Sequence, residues 1–267
     1  MLLTNENYYS QEANREYLSV SQYKDFMGTY GKVGCEEYAL AKLDGTWVEN
    51  MEDSDALMVG SYVDAHFEGT LDLFKAQHSC MFKKDGSIMA KYIKANEMIN
   101  RCERDPLFMQ YMSGEKQVIM TADLFGAKWK IKIDSYHPGK CIVDLKTCQS
   151  ITKEFYHPDS GHLNFLAEWG YYIQGAVYQK VVEINTGEKL PFFIAAVSKE
   201  KVPDIQVIAV EQSLLDEALA DVEHNVPNIL ALKNGELDPM RCEHCDYCKH
   251  TRILQHPIWS SELIGEV

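Results

Sequence analysis

The chain contains no run of about 18 apolar residues, so no membrane-spanning helix is expected. Its opening, Met1-Leu2-Leu3-Thr4-Asn5-Glu6-Asn7, has neither the basic region nor the apolar run of a secretory signal. A cytoplasmic protein without a membrane partner is the expectation. Internal repeats, long low-complexity tracts and Gly/Ser linkers are also missing, which predicts one domain over residues 1–267 with a Cys-rich segment at 240–250. Positive charge is scarce: 26 Lys and Arg stand against 40 Asp and Glu, a net charge of -14. Phosphates are gripped by Lys and Arg, so a nucleic-acid ligand would need a local basic patch. Apolar matter is not short, because 267 residues at 46% hydrophobic content suffice for one sizeable core.

The most informative stretch lies mid-chain. Gln117 to Leu124, Lys128 to Tyr136 and Cys141 to Lys146 are apolar-rich runs, broken at Phe125-Gly126-Ala127 and at His137-Pro138-Gly139-Lys140. They predict three short antiparallel strands. In the last, Ile142, Asp144 and Lys146 share one face while Val143 and Leu145 point to the other. Asp134 ends the preceding strand, close enough across a hairpin for its carboxylate to converge with that of Asp144. Two hard oxygen ligands with open positions suit Mg²⁺ or Mn²⁺, which keep several waters and accept phosphate oxygens. Lys146 would stand beside an attacking water or a developing oxyanion. The pattern is one of metal-assisted phosphodiester chemistry, against the plain alternative of a surface strand with alternating charge.

The flanking segments predict an α/β core. Ala56 to Gln77 and Ile88 to Glu103 carry helical apolar stripes. Asn164 to Val182 is helix-like and places Gln174 and Tyr178 one turn apart on one face. Pro191 to Ser198 and Asp204 to Val210 read as strands, and Leu214 to Lys233 as a helix interrupted or ended near Pro227. Thr147 to His162 reads as a mobile loop over the cleft. Basic residues cluster at Lys128, Lys130, Lys132, Lys140, Lys146 and Lys153, and again at Lys83, Lys84, Lys91, Lys94 and Arg101.

Eight cysteines in a chain without an export signal argue for thiols or metal ligands over disulfides. Cys242, Cys245 and Cys248 have C-x2-C-x2-C spacing, which wraps a soft metal or an iron-sulfur cluster and calls for a fourth ligand. An iron-sulfur cluster, zinc with His244 or His250 as helper, and no metal all remain open. Cys80, Cys102, Cys141 and Cys148 read as buried or partly buried singles.

Asp134, the ten-residue gap and Ile142-Val143-Asp144-Leu145-Lys146-Thr147 resemble the PD-(D/E)XK nuclease core in its RecB-like branch, especially the phage exonuclease VIII (RecE-type) group. Gly60-Ser61-Tyr62-Val63-Asp64-Ala65-His66 resembles the helix that gives this branch a metal-binding histidine. Gln174-Gly175-Ala176-Val177-Tyr178 matches its Q-x-x-x-Y motif. Tyr17-Leu18-Ser19-Val20-Ser21-Gln22-Tyr23 and Cys35-Glu36-Glu37-Tyr38 resemble its opening. The residue before Asp134 is Ile133, where the family formula has proline.

The resemblance implies a restriction-endonuclease-like fold, a central mixed β-sheet flanked by helices. It implies one or two Mg²⁺ or Mn²⁺ ions held by His66, Asp134, Asp144 and the Leu145 backbone carbonyl. Lys146 would be catalytic, and Gln174 and Tyr178 would bind phosphate or order water. Asp123 and Glu168 stay outside this set. The implied activity is exonucleolytic hydrolysis of linear double-stranded DNA, 5′ to 3′, in phage-type recombination with a single-strand annealing partner. Related exonucleases form rings, so a homo-oligomer is among the implied assemblies. Some cluster-bearing RecB-like nucleases pair an early cysteine with three late ones, which makes Cys35 the candidate fourth ligand, although their last gap is usually longer. A cluster-bearing single-strand nuclease and a non-catalytic binding module of the same fold are the alternatives.

Overall fold

The computed structural model describes residues 1–49 and 54–260. Two short helices, α1 (Gln11–Glu16) and α2 (Val20–Met27), begin after Ser10 and Ser19, whose hydroxyls accept first-turn backbone N–H groups. A two-residue ribbon, β1 (Gly28–Thr29) with β2 (Lys32–Val33), leads to α3 (Glu36–Asp44). The helix expected over 56–77 is two helices, α4 (Asp55–Glu68) and α5 (Leu71–Gln77). Gly69 separates them in the left-handed conformation, φ 78°, where it receives the chain leaving α4. After a 3-10 turn at Ala90–Tyr92 come α6 (Ile93–Glu103), five residues later than its apolar spacing suggests, and α7 (Pro106–Tyr111).

The strand region then unfolds as β3 (Val118–Leu124), β4 (Ala127–Ile133), β5 (Ser135–His137) and β6 (Cys141–Cys148). Rather than one three-stranded meander, β3 and β4 form their own hairpin, and the chain bends at Asp134 so that β5 pairs with β6. Thr147 to His162 is not a loop: β6 runs to Cys148, and β7 (Phe155–His157) and β8 (Gly161–Leu163) form a hairpin tethered by a 2.7 Å contact from His157 Nε2 to Glu168.

The helical segment expected from Asn164 also divides, into α8 (Phe165–Glu168) and α9 (Tyr171–Thr186), at Gly170 with φ 62°. The strands β9 (Phe192–Ser198) and β10 (Ile205–Ala209) follow as predicted. Helix α10 (Gln212–Lys233) passes straight through Pro227. Pro227 faces water, so the carbonyl it leaves unpaired can be hydrated, while buried Val222, Val226 and Ile229 hold the helix down. Last comes α11 (Asp246–Thr251).

The central sheet has the order β10-β9-β6-β5, with β6 and β9 parallel and the outer pairs antiparallel. A parallel pair needs a crossover, and α9 lies within it. Both faces of the sheet are covered, which is why β9 reads as an unbroken apolar run. Ile142, Phe192, Ile194 and Ala196 pack with α9, α10 and the β3–β4 hairpin; Val143, Leu145, Ala195 and Val197 pack with α4 and α6. Two glycines let the helices approach. A Cβ at Gly60 of α4 would lie 2.9 Å from Thr147 Oγ1, and one at Gly175 of α9 2.6 Å from the Phe192 ring. The mixed α/β architecture is therefore the one implied by the resemblance.

Candidate active site

The site forms where β6 emerges from between its two helical layers. Asp144, 2% exposed, turns toward α9, and Gln174 Nε2 donates to its Oδ1 at 2.6 Å. Lys146, two residues on and on the same face, pairs with Asp144 Oδ2 at 2.5 Å. Asp134 sits at the bend between β4 and β5. Its Oδ2 accepts the Leu145 backbone N–H at 2.8 Å and its Oδ1 accepts Gln117 Nε2 at 3.3 Å. Both aspartates thus border the same stretch of β6 and line one cleft.

The open space in front of them is a cleft of ≈ 490 Å³, whose lining includes Asp64, Glu68, Asp134, Asp144, Leu145, Lys146, Gln174 and Tyr178. Tyr178 is one turn beyond Gln174, and its hydroxyl donates to the Lys132 carbonyl at 3.1 Å, fixing the β4 edge of the cleft.

His66 is not among these residues. Its Nε2 lies 2.8 Å from Glu103 of α6, and the acids that α4 turns to the cleft are Asp64 and Glu68. The reason is helical phase: residues four apart share a face, whereas residue 66 falls between them on the far side. The Asp64-x-x-x-Glu68 spacing was the available signal, and the histidine was the more conspicuous residue. Asp123 is exposed on β3, and Glu168 is engaged by His157.

The electrostatics are those of charge held out of water. Burial, reinforced by Asp144, raises the Asp134 carboxyl to about 7. Burial, then Asp134, also pushes Asp64 well above the ordinary carboxylate range. For Lys146 burial opposes the charge, but Asp144, Tyr171 and Asp134 outweigh it and hold the ammonium above the usual lysine value. Lys146 is therefore a fixed cation. Lys24, which donates to the Trp169 carbonyl at 2.8 Å, is lowered to about 7 by burial and then by Lys146.

The basic residues assemble only in part as their sequence clustering suggests, and the Lys91 side chain lies outside the described residues. Lys130 is 1% exposed and is spent on the Tyr8 carbonyl and on Asn14 Oδ1, pinning the N-terminal segment to β4. Lys128 pairs with Glu16, Lys153 bonds Gln149, Lys94 pairs with Glu97, and Lys140 lines a separate hollow beside Tyr111 and Phe193. The lysines lining the cleft are Lys24, Lys42, Lys132 and Lys146, with the buried Lys130 in its wall. Tyr9, unremarked in the sequence, stands 71% exposed at its rim, edge-on to Tyr8 at 4.9 Å and with the Lys132 ammonium 5.2 Å from its ring.

The cysteines divide as their spacing suggests. Cys35, which precedes α3, meets Cys242, Cys245 and Cys248 with all four sulfurs within 4.8 Å of one another. Of the singles, Cys102, Cys141 and Cys148 are buried, but Cys80 is exposed. No helix among the described residues is long and apolar enough to cross a membrane.

Comparison with known proteins agrees with this fold. No curated protein sequence matches the chain. A crystal structure of a "putative exonuclease" from Eubacterium rectale is 57% identical, with 100% of both chains covered and a TM-score of 0.96. Residues 19–251 match the family model described as a PDDEXK-like domain of unknown function, DUF3799, a span that holds Asp64, Asp134, Asp144, Lys146 and all four clustered cysteines. The chain belongs to this PDDEXK-like family.

Proposed function

We propose that the protein is a divalent-metal-dependent deoxyribonuclease, an exonuclease that degrades linear double-stranded DNA from 5′ to 3′. The observation that carries the reading is the placing of Asp64, Asp134 and Asp144 around one open cleft with the cation Lys146. The exonuclease assignment of the Eubacterium rectale protein supports the reaction class. Duplex preference and polarity rest on the resemblance to RecE-type enzymes, for which a 3′ overhang supplies a single-strand annealing partner.

The donor set fits Mg²⁺ or Mn²⁺: hard oxygens only, on half-buried, desolvated carboxyls that are costly to ionise without a cation to compensate them. Asp64, Asp134, Asp144 and the Leu145 carbonyl are the groups that would hold it, with Glu68 alongside. Such an ion polarises a phosphoryl oxygen and makes water nucleophilic at neutral pH. Lys146, held as an ammonium by the Asp144 and Asp134 carboxylates around it, would orient the nucleophile by donation and offset the charge that develops on the phosphoryl group. Gln174 fixes the Asp144 carboxylate, and Lys24 and Lys132 meet the flanking phosphates.

The test uses linear duplexes labelled at either the 5′ or the 3′ end, with single-stranded and covalently closed circular DNA beside them. The expected result is Mg²⁺-dependent release of 5′-labelled mononucleotides, with closed circles untouched and Asp144→Asn inactive. Cleavage of circles would make the enzyme an endonuclease, and equal activity in Asp144→Asn would remove the cleft from the mechanism.

A further inference from the structure

The cysteine nest offers a second, separate metal site, and its dimensions discriminate between cofactors. Cys35 Sγ lies 3.6 Å and Cys242 Sγ 3.9 Å from Cys248 Sγ. These are far beyond a disulfide, and all eight cysteines are free. Four thiolates at about 2.3 Å from one tetrahedral ion are separated from each other by about 3.8 Å. An iron-sulfur cluster interposes its own cage of irons and sulfides and holds its cysteines farther apart than a single ion does. Separations of this size match the ligands of one tetrahedral ion more closely than the wider spread of a cluster's ligands.

The local backbone is also shaped for thiolates. Glu243 takes the left-handed conformation, φ 60°, which a non-glycine residue adopts at a cost. That turn aims the backbone N–H groups of His244 and Cys245 at Cys242 Sγ, at 3.4 and 3.2 Å, and Cys248 N–H reaches Cys245 Sγ at 3.4 Å. Cys35 and Cys248 are buried, and Trp47 and Tyr247 pack over the cluster. Arg241 adds positive charge beside it, bonding Glu37 at 2.6 Å and the Cys248 carbonyl at 2.9 Å. Neither histidine of this segment takes part: His250 lies against the Trp47 ring, and His244 is exposed.

We propose that Cys35, Cys242, Cys245 and Cys248 bind one structural Zn²⁺ ion in a closed tetrahedral site. Binding exchanges four S–H bonds for four Zn–S bonds and releases four protons, with no change of oxidation state. The ion clasps residues 240–251 onto the start of α3, whose Ala39, Lys42 and Leu43 form part of the cleft wall. It shapes that wall and takes no part in phosphodiester chemistry, so its identity is independent of the nuclease reading.

Elemental analysis of full-length protein, purified without oxygen from medium containing both iron and zinc, is the test. One zinc per chain is expected, with neither iron nor acid-labile sulfide. Mercurial titration of the thiols should release it, and Co²⁺ replacing it should give the intense visible bands of a tetrahedral thiolate site. Cys242→Ser should lose the metal and His250→Ala should keep it. If Cys242→Ser does not fold, the mercurial and Co²⁺ readings on the unaltered chain decide. Iron with sulfide, or a metal-free protein that takes up neither Zn²⁺ nor Co²⁺, overturns the proposal.

Discussion

The carboxylate cleft and the thiolate nest both gather metal-binding side chains, and they are built in opposite ways. In the nest, ligands from residues 35 and 248 close on one another until no position is left for a substrate. The carboxylates of the cleft face a space of ≈ 490 Å³ and are restrained by Gln174, Gln117 and the Leu145 N–H. Among the described residues only the four cysteines bring three or more ligand atoms within 4.8 Å. A closed set spends its coordination on holding the fold; an open one keeps positions for phosphate and water. The cleft also carries the electrostatic cost, as buried acids and lysines whose charges are poorly compensated.

That contrast orders the expected effects. Lys146→Ala, measured as duplex hydrolysis in Mg²⁺, should lower kcat by about 10³-fold or more, the scale on which single transition-state stabilisers act. Asp64→Asn should lose about as much, whereas His66→Ala should stay within about threefold of wild type. The reverse order would put the helix face the other way round. Because desolvation and the neighbouring Asp134 make the Asp64 carboxylate costly to ionise, Asp64→Asn should also raise the melting temperature of metal-free protein by a few degrees, a trade of stability against activity. Removing zinc should do the opposite, lowering melting temperature strongly while the chemistry of protein that remains folded is retained.

A smaller effect concerns the cleft rim. Tyr9 presents an exposed ring beside Asp64 and Glu68, where the proposed DNA substrate would pass. Tyr9→Ala should weaken DNA binding by about 1 kcal/mol, read as KM with kcat nearly unchanged, and Tyr9→Phe should restore it.

The smallest is a pH effect on stability. Burial, then Lys233, lowers Lys130 to about 8, below the roughly 10.4 of an unfolded lysine. The cost of its buried charge is therefore full below pH 8 and is relieved as pH rises toward 10.4. Melting curves of wild type and Lys130→Met should shift relative to each other in favour of wild type between pH 8 and 10. Parallel behaviour across that window would mean Lys130 is charged in both states throughout.

Much of this arrangement is legible in the sequence where local periodicity decides it. Strand alternation places Asp144 and Lys146 on one face, the turn signals bring Asp134 to them, and helical spacing joins Gln174 to Tyr178. Sequence and structure part where long-range packing or helical phase decides. His66 has the ligand chemistry, but Asp64 and Glu68 hold the phase that faces the cleft. Lys130 belongs to a basic cluster in the sequence, and nothing local tells that Tyr8 and Asn14 return to cover it. Gly69 and Gly170 broke helices whose apolar stripes ran on, and exposure on the water side let α10 pass Pro227. Metal identity in the nest depends on sulfur separations that spacing does not encode.

The central claim is that the open cleft is the catalytic metal site. It is met most directly by isothermal titration of Mg²⁺ and Mn²⁺ into zinc-loaded wild type and Asp144→Asn, with hydrolysis of 5′-labelled duplex followed on the same samples. The account predicts that wild type binds the ion with release of protons and hydrolyses DNA, while Asp144→Asn retains its zinc, binds Mg²⁺ far more weakly and is inactive. Equal Mg²⁺ binding and equal hydrolysis in the two proteins would contradict it.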